Sequence, residues 1–150
     1  MTPEFRINTA NFSDVYNHLI GCDQSFVPTL SKRVDITAYA QKLVENSEMF
    51  EAWANNELIG LIAVYCNDPA QEEAYISSVS VLAHWMGKGI ASRLLSNCLA
   101  FVHKSGFKSV GLEVGVENAA AISLYLQNNF STVSHKDNVQ EMVKKFGSNS

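Results

Sequence analysis

Cysteine is scarce here, with three in 150 residues, and Cys22, Cys66 and Cys98 form no paired spacing. They read as reduced core or surface thiols rather than a disulfide set or a nucleophile. The four histidines show no metal-ligand spacing, so no metal is expected. His84 is the only one near the glycine-rich segment discussed below, and it reads as a solvated loop residue. No apolar run approaches the roughly eighteen residues of a membrane span, and the start lacks a signal peptide, so the expected compartment is the cytoplasm. Positive charge is short as well. The net charge is −4, and Lys and Arg form no stripe, which argues against a nucleic-acid surface. Linkers, repeats and low-complexity tracts are missing, apart from a polar tail over 147–150 that reads as frayed. Residues 1–150 therefore read as a single domain, long enough to bury about two-thirds of its unfolded surface.

Hydrophobic periodicity predicts a strand over Phe5–Thr9, a helix over Ser13–Ile20 and a second helix over Asp35–Glu45, in which Ile36, Tyr39, Ala40 and Leu43 share a face. Met49–Ala54 and Leu58–Tyr65 read as a hairpin across Asn55-Asn56-Glu57, and Ala74–Leu82 as the next strand. A helix from Gly89 buries Ile90, Leu94, Leu95, Cys98, Leu99 and Val102 and stops at Ser105-Gly106. Two short strands follow Phe130, the last over Val139–Phe146.

The segment from Val79 to Leu95 reads as a buried strand, a glycine-punctuated turn and the opening of a helix. Gly87 and Gly89, with Lys88 between them, allow a tight turn whose backbone N–H groups converge with little side-chain bulk in the way. The helix start adds unpartnered N–H groups and about half a positive charge, a setting for a pyrophosphate. Lys88 and Arg93 can add charge at the rim. A nucleotide P-loop is excluded, because Gly87-Lys88 is followed by Gly89. A dinucleotide fingerprint is weak, since Gly87-x-Gly89 is followed by Ser92 where Gly is required, although Glu113 stands near the distance of its acidic residue.

A second segment runs from Val110 to Phe130. Val110, Leu112, Val114 and Val116 alternate with Gly111, Glu113, Gly115 and Glu117, a strand with one apolar face from which Glu113 points away. Its same-face neighbours are two glycines, which leaves open space around the carboxylate. Asn118 is a good helix N-cap, Asn129 suits the left-handed residue that ends a helix, and Tyr125 lies two turns along from the cap.

Read as Val81-x-x-x-x-Met86-x-x-Gly89-x-Ala91, the first segment resembles the coenzyme A pyrophosphate loop of the GNAT superfamily of acetyl-CoA-dependent N-acetyltransferases, whose pattern is Gln/Arg-x-x-Gly-x-Gly/Ala. Met86 replaces the usual Gln or Arg, and Ala83 a common Pro. The second resembles the pattern L-E-V-x-x-x-N-x-x-A-x-x-L-Y-x-x-x-G-F at every named position except Asn129, which replaces Gly. Within the superfamily it looks most like the ribosomal-protein N-terminal acetyltransferases. The resemblance spans roughly Leu58 to Phe130. It implies an α/β fold, a mixed and mostly antiparallel central sheet with helices on both faces, in which the glycine turn follows the fourth strand.

It also implies acetyl-CoA as cofactor, held by Val79, Ser80, Val81, Met86, Gly87, Lys88, Gly89, Ile90, Ala91, Ser92, Asn118 and Tyr125. Carbonyl polarisation is expected from a backbone N–H on the strand Ser78–Leu82. Glu113 is implied as base and Tyr125 as acid in direct transfer to a primary amine, without an acyl-enzyme. The acceptor, a small-molecule amine or a protein N-terminus, is expected between the loops over 22–32 and 129–140, with Phe26, Pro28 and Leu30 as a candidate apolar wall. Asp68, Glu72 and Glu73 read as a solvated charge run. A non-catalytic acyl-CoA-binding sensor or interaction module is the alternative, and a homodimer is possible through the exposed last strand.

Overall fold

The structure, a computed structural model, describes residues 2–26 and 29–147. Pro28 of the expected apolar wall and 148–150 of the expected tail lie outside that range. Strand β1 (Glu4–Ile7) leads to α1 (Phe12–Cys22) and α2 (Ile36–Asn46), and then to β2 (Glu48–Ala54), β3 (Glu57–Tyr65) and β4 (Glu73–Val81). Helix α3 (Ile90–Lys104), β5 (Ser109–Gly115), α4 (Ala119–Gln127), β6 (Ser131–Lys136) and β7 (Val139–Lys145) complete the order. All seven strands form one sheet in the order β1-β2-β3-β4-β5-β7-β6. Among the described residues only β4 and β5 pair in parallel, as their connection through α3 requires.

The strand expected over Phe5–Thr9 ends at Ile7, because Asn8 turns to φ 58° and the next two N–H groups, of Thr9 and Ala10, bond the Glu51 carboxylate at 2.9 and 3.0 Å. Helix α1 begins before the expected Ser13. Asn11 and Asp14 form a reciprocal capping box, each side chain bonding the other's N–H at 2.9 Å. Asn55 and Asn56, at φ 54° and 62°, make the whole β2–β3 turn, so Glu57 belongs to the strand opposite Ala54.

Strand β3 lies at the centre of the molecule and is apolar on both faces. Helices α1 and α2 cover one face, packing Val15, Leu19, Ala40 and Leu43 against Leu58, Leu61 and Ala63. Helix α3 covers the other, packing Ile90, Leu94 and Cys98 with Ile59, Ile62 and Val64, in the cluster that also takes Tyr125 of α4. At Gly60 the helix comes so close that an added Cβ would stand 3.0 Å from Ile90 Cγ2 and 3.1 Å from Leu94 Cδ1. The start of α3 is thereby seated against the middle of the sheet.

Candidate active site

Two irregularities in β4 open the site. Ala63 pairs with Ser78 and Val64 with Ile76, so Ser77 is an extra residue on β4. This bulge resets the alternation. Val79 packs with the core that holds Ala74, Ile76 and Val81, and Ser80 turns towards α1 on the opposite face. The parallel pairing of β4 with β5 ends at Ile76 opposite Leu112. Beyond that point Ser77–Val81 and Glu113–Gly115 part, and a wedge opens between the strands. Strand β4 is a central strand, and its Ser78 and Ser80 are buried.

After β4 the chain makes a 3₁₀ turn at Ala83–Trp85 and then the glycine turn. Gly87 and Gly89 hold φ 77° and 79°, and an added Cβ at either would meet nothing within 4 Å, so the left-handed backbone, not crowding, calls for glycine here. Gly89 occupies the N-cap of the fifteen-residue α3, and no side chain caps that end. The first N–H groups of a four-turn helix are thus presented without a competing acceptor.

Those groups face a cleft of ≈ 410 Å³. Val79, Ser80, Val81, Met86, Gly87, Gly89, Ile90, Ala91, Ser92, Asn118 and Tyr125 line it, and so do Phe26 of the expected apolar wall, Ala121 and Leu124 of the second signature, and Cys22 and Trp85, which were not expected at the site. Lys88 is the one expected binding residue outside the lining. It is exposed between the two glycines. Arg93, expected at the rim, instead lays its guanidinium over the Phe5 ring at 4.6 Å. His84 is exposed and stands outside the cleft.

At its inner end the cleft meets a cavity of ≈ 100 Å³ between the parted strands, and Phe26, Val79, Asn118 and Tyr125 line both. Glu113 enters this cavity from β5, and Arg33 from the segment before α2. Arg33, Glu113, Glu117 and Asp137 continue into an outer pocket of ≈ 520 Å³ beside the β6–β7 turn. Asn118 caps α4 through its side-chain oxygen, which accepts from the Ala121 N–H at 3.3 Å. Tyr125 is 5% exposed with its ring 5.7 Å from Phe130, and burial pushes its phenol up to about 12. The thiol of Cys22, in the wall of the same cleft, is also pushed up to about 12 by burial.

Elsewhere the structure sorts the remaining candidates. Leu30 is a core residue at 2% exposure, while Phe26 does reach the site. Asp68 is no bystander in a charge run, since its carboxylate bonds the N–H groups of Ala70, Glu72 and Glu73, which hold its pKa below the usual range. Sequence reading passed over His18, which is buried against Ser80 in the cleft wall; a helix-face histidine 62 residues from its partner carries no local signal.

The family model described as "Acetyltransferase (GNAT) family" matches residues 12–130. The chain belongs to that family, whose members use acetyl-CoA. It is 29% identical over 113 residues to an uncharacterized N-acetyltransferase of Methanocaldococcus jannaschii, covering 71% of this chain and 50% of that protein. It is 32% identical over 77 residues to the N-alpha-acetyltransferase MAK3 of Arabidopsis thaliana, covering 51% of this chain and 40% of that one. The matched stretch thus spans half or less of the length of these curated relatives. Among solved structures, the PaiA N-acetyltransferase of Thermoplasma acidophilum, in complex with coenzyme A, superposes with a TM-score of 0.73 at 18% identity, covering 95% of this chain and 99% of that one.

Proposed function

We propose that this chain is an N-acetyltransferase that moves the acetyl group of acetyl-CoA directly to a primary amine, through one domain spanning its whole length. The observation that carries the reading is the continuity of the cleft: it starts at an uncapped helix end and glycine turn, and ends at Tyr125 beside Glu113. A pyrophosphate fits that start, because both glycines leave the space of a side chain open and the N–H groups of Ile90, Ala91 and Ser92 lack a capping side chain. Val79, Ser80 and Val81 would hold the arm that follows, and backbone N–H groups at the β4 bulge would polarise the carbonyl. Acetyl-CoA supplies the acetyl group in activated form, as a thioester.

Glu113 serves as base. It stands in the wedge on the acceptor side, where it takes the amine proton directly or through a water. Tyr125 serves as acid towards the departing sulfur. In water a phenol near 10 protonating a thiolate near 8.5 is uphill by about 2 kcal/mol. Inside this cleft the balance changes. Burial takes Tyr125 to about 12, and the same desolvation raises the proton affinity of a thiolate released between these walls, which narrows the gap. The acceptor enters from the outer pocket, as a small amine or a protein N-terminus. The match to MAK3, itself an N-alpha-acetyltransferase, supports the peptide option.

The test is thiol release from acetyl-CoA with a panel of amines and of peptides with free N-termini. Tyr125→Phe and Glu113→Gln are expected to keep CoA binding and slow transfer by at least ~10²-fold. Saturable CoA binding without turnover on any acceptor would turn the reading into that of an acyl-CoA sensor. Wild-type rates in both variants would remove the two residues from the chemistry.

A further inference from the structure

The cleft wall contains a buried cluster that the chemistry above leaves unused. His18 of α1 is 2% exposed, and its Nδ1 lies 2.8 Å from the Leu58 carbonyl oxygen. A carbonyl only accepts, so Nδ1 carries the proton and donates it. Nε2 is then the bare acceptor of the ring, 2.9 Å from Ser80 Oγ, and the Ser80 hydroxyl donates to it. Burial pushes the imidazole down to about 4, which keeps it neutral at pH 7. Cys22 Sγ, 3.6 Å from Nε2, stays a protonated thiol, a weak acceptor that competes poorly with the imidazole nitrogen for the Ser80 proton. An ordinary serine hydroxyl rotates to donate or accept as its surroundings require. Ser80 spends its single proton on Nε2, so its hydroxyl has only lone pairs left for any other partner in the cleft it lines.

We propose that Ser80 is a directed acceptor for an amide N–H of the pantetheine arm of CoA, and that His18 is the positioning residue that sets its polarity. The inference rests on the CoA reading and adds a side-chain contact to it. Ser80 lies on β4 between the Ser77 bulge, at the reacting end, and the glycine turn, at the pyrophosphate end. It therefore meets the arm and not the nucleotide. An arm with an acceptor at this point would face a second set of lone pairs, so the contact selects for an N–H.

Calorimetry on the full chain distinguishes the outcomes, with CoA and with 3′-phosphoadenosine 5′-diphosphate, the nucleotide end lacking the arm. Ser80→Ala is expected to weaken CoA by about 3- to 10-fold and to leave the nucleotide unchanged, while Ser80→Thr retains wild-type affinity for both. His18→Asn keeps a donor for the Leu58 carbonyl but releases the Ser80 proton. It should weaken CoA by a similar factor, and the double variant should lose no more than the larger single loss. Imidazole nitrogen shifts should show His18 protonated at Nδ1 and bare at Nε2. The proposal is overturned if Ser80→Ala binds CoA as tightly as the unmodified chain, or if it loses both ligands equally. An unmodified chain that binds neither ligand overturns the CoA reading itself, a result separable from the other two.

Discussion

At the scale of single residues, burial decides what each ionisable group can do. His18 binds its proton at about 4 in the folded chain, against 6.5 for the free side chain. Between those values the unfolded chain takes up more protons than the folded one, so stability falls as the pH drops from about 6.5 towards 4, by about 3 kcal/mol in full. The groups that face the ring are the Leu58 carbonyl from β3, Ser80 from β4 and Cys22 from its own helix, and only Cys22 titrates, far above this window. Urea midpoints across pH 4–7 should show that slope and a shallower one in His18→Asn. For Tyr125, in its proposed role as acid, the sign is opposite: an acid must be protonated to act, and its raised pKa keeps it so. Turnover should accordingly show no loss from tyrosine ionisation between pH 8 and 10, in a pH profile of kcat. Glu51 is fully buried and accepts four bonds, from the Thr9 N–H and hydroxyl, the Ala10 N–H and the Trp53 indole N–H, at 2.5–3.0 Å. Glu51→Gln sets an amide N–H₂ against some of those donors, and chemical denaturation should show a loss of about 2–3 kcal/mol.

At the scale of elements, the approach of α3 to β3 connects packing with the site. Gly60→Ala would force Ile90 and Leu94 outward by a few tenths of an ångström, at the turn of helix whose N–H groups open on the cleft. A loss of about 1–3 kcal/mol in stability is expected, together with weaker CoA binding, from denaturation and calorimetry on the same variant. Gly89→Ala gives a useful contrast. Its Cβ would meet nothing, so its cost is left-handed backbone strain alone, about 1–2 kcal/mol. Most elements were legible in the sequence because their periodicity is local: β2, β3, α2 and α3 lie within two residues of the ranges expected. Misreadings arose where side chains took over backbone bonding: at Asn8 and Glu51 the partners lie some forty residues apart and leave no periodic trace, whereas the Asn11–Asp14 box that starts α1 early is local, its partners three residues apart, and was passed over.

At the scale of the whole molecule, stability is graded across the sheet. Strands β3 and β4 are flanked on both sides and covered on both faces, whereas all six residues of β6 are exposed and pair only with β7. Native-state amide exchange should therefore be slowest in β3 and β4 and approach local opening in β6. The outer pocket beside the β6–β7 turn, the proposed acceptor entrance, lies at this less stable end, while the cleft is anchored to the centre of the sheet.

The sequence by itself determined the alternation of the strands, the glycine turn, the caps at Asn118 and Asn129, and the residue types at Glu113 and Tyr125. All of these depend on neighbours within a few positions. Only the tertiary structure decided that β4 carries a bulge and parts from β5, that Tyr125 and Glu113 border one cavity, that Arg93 lies over Phe5, and that His18 orients Ser80. The physical reason is the same in each case. Whether a polar group serves a ligand depends on which partners compete for its bonds, and those partners arrive from distant parts of the chain only when the sheet and helices pack.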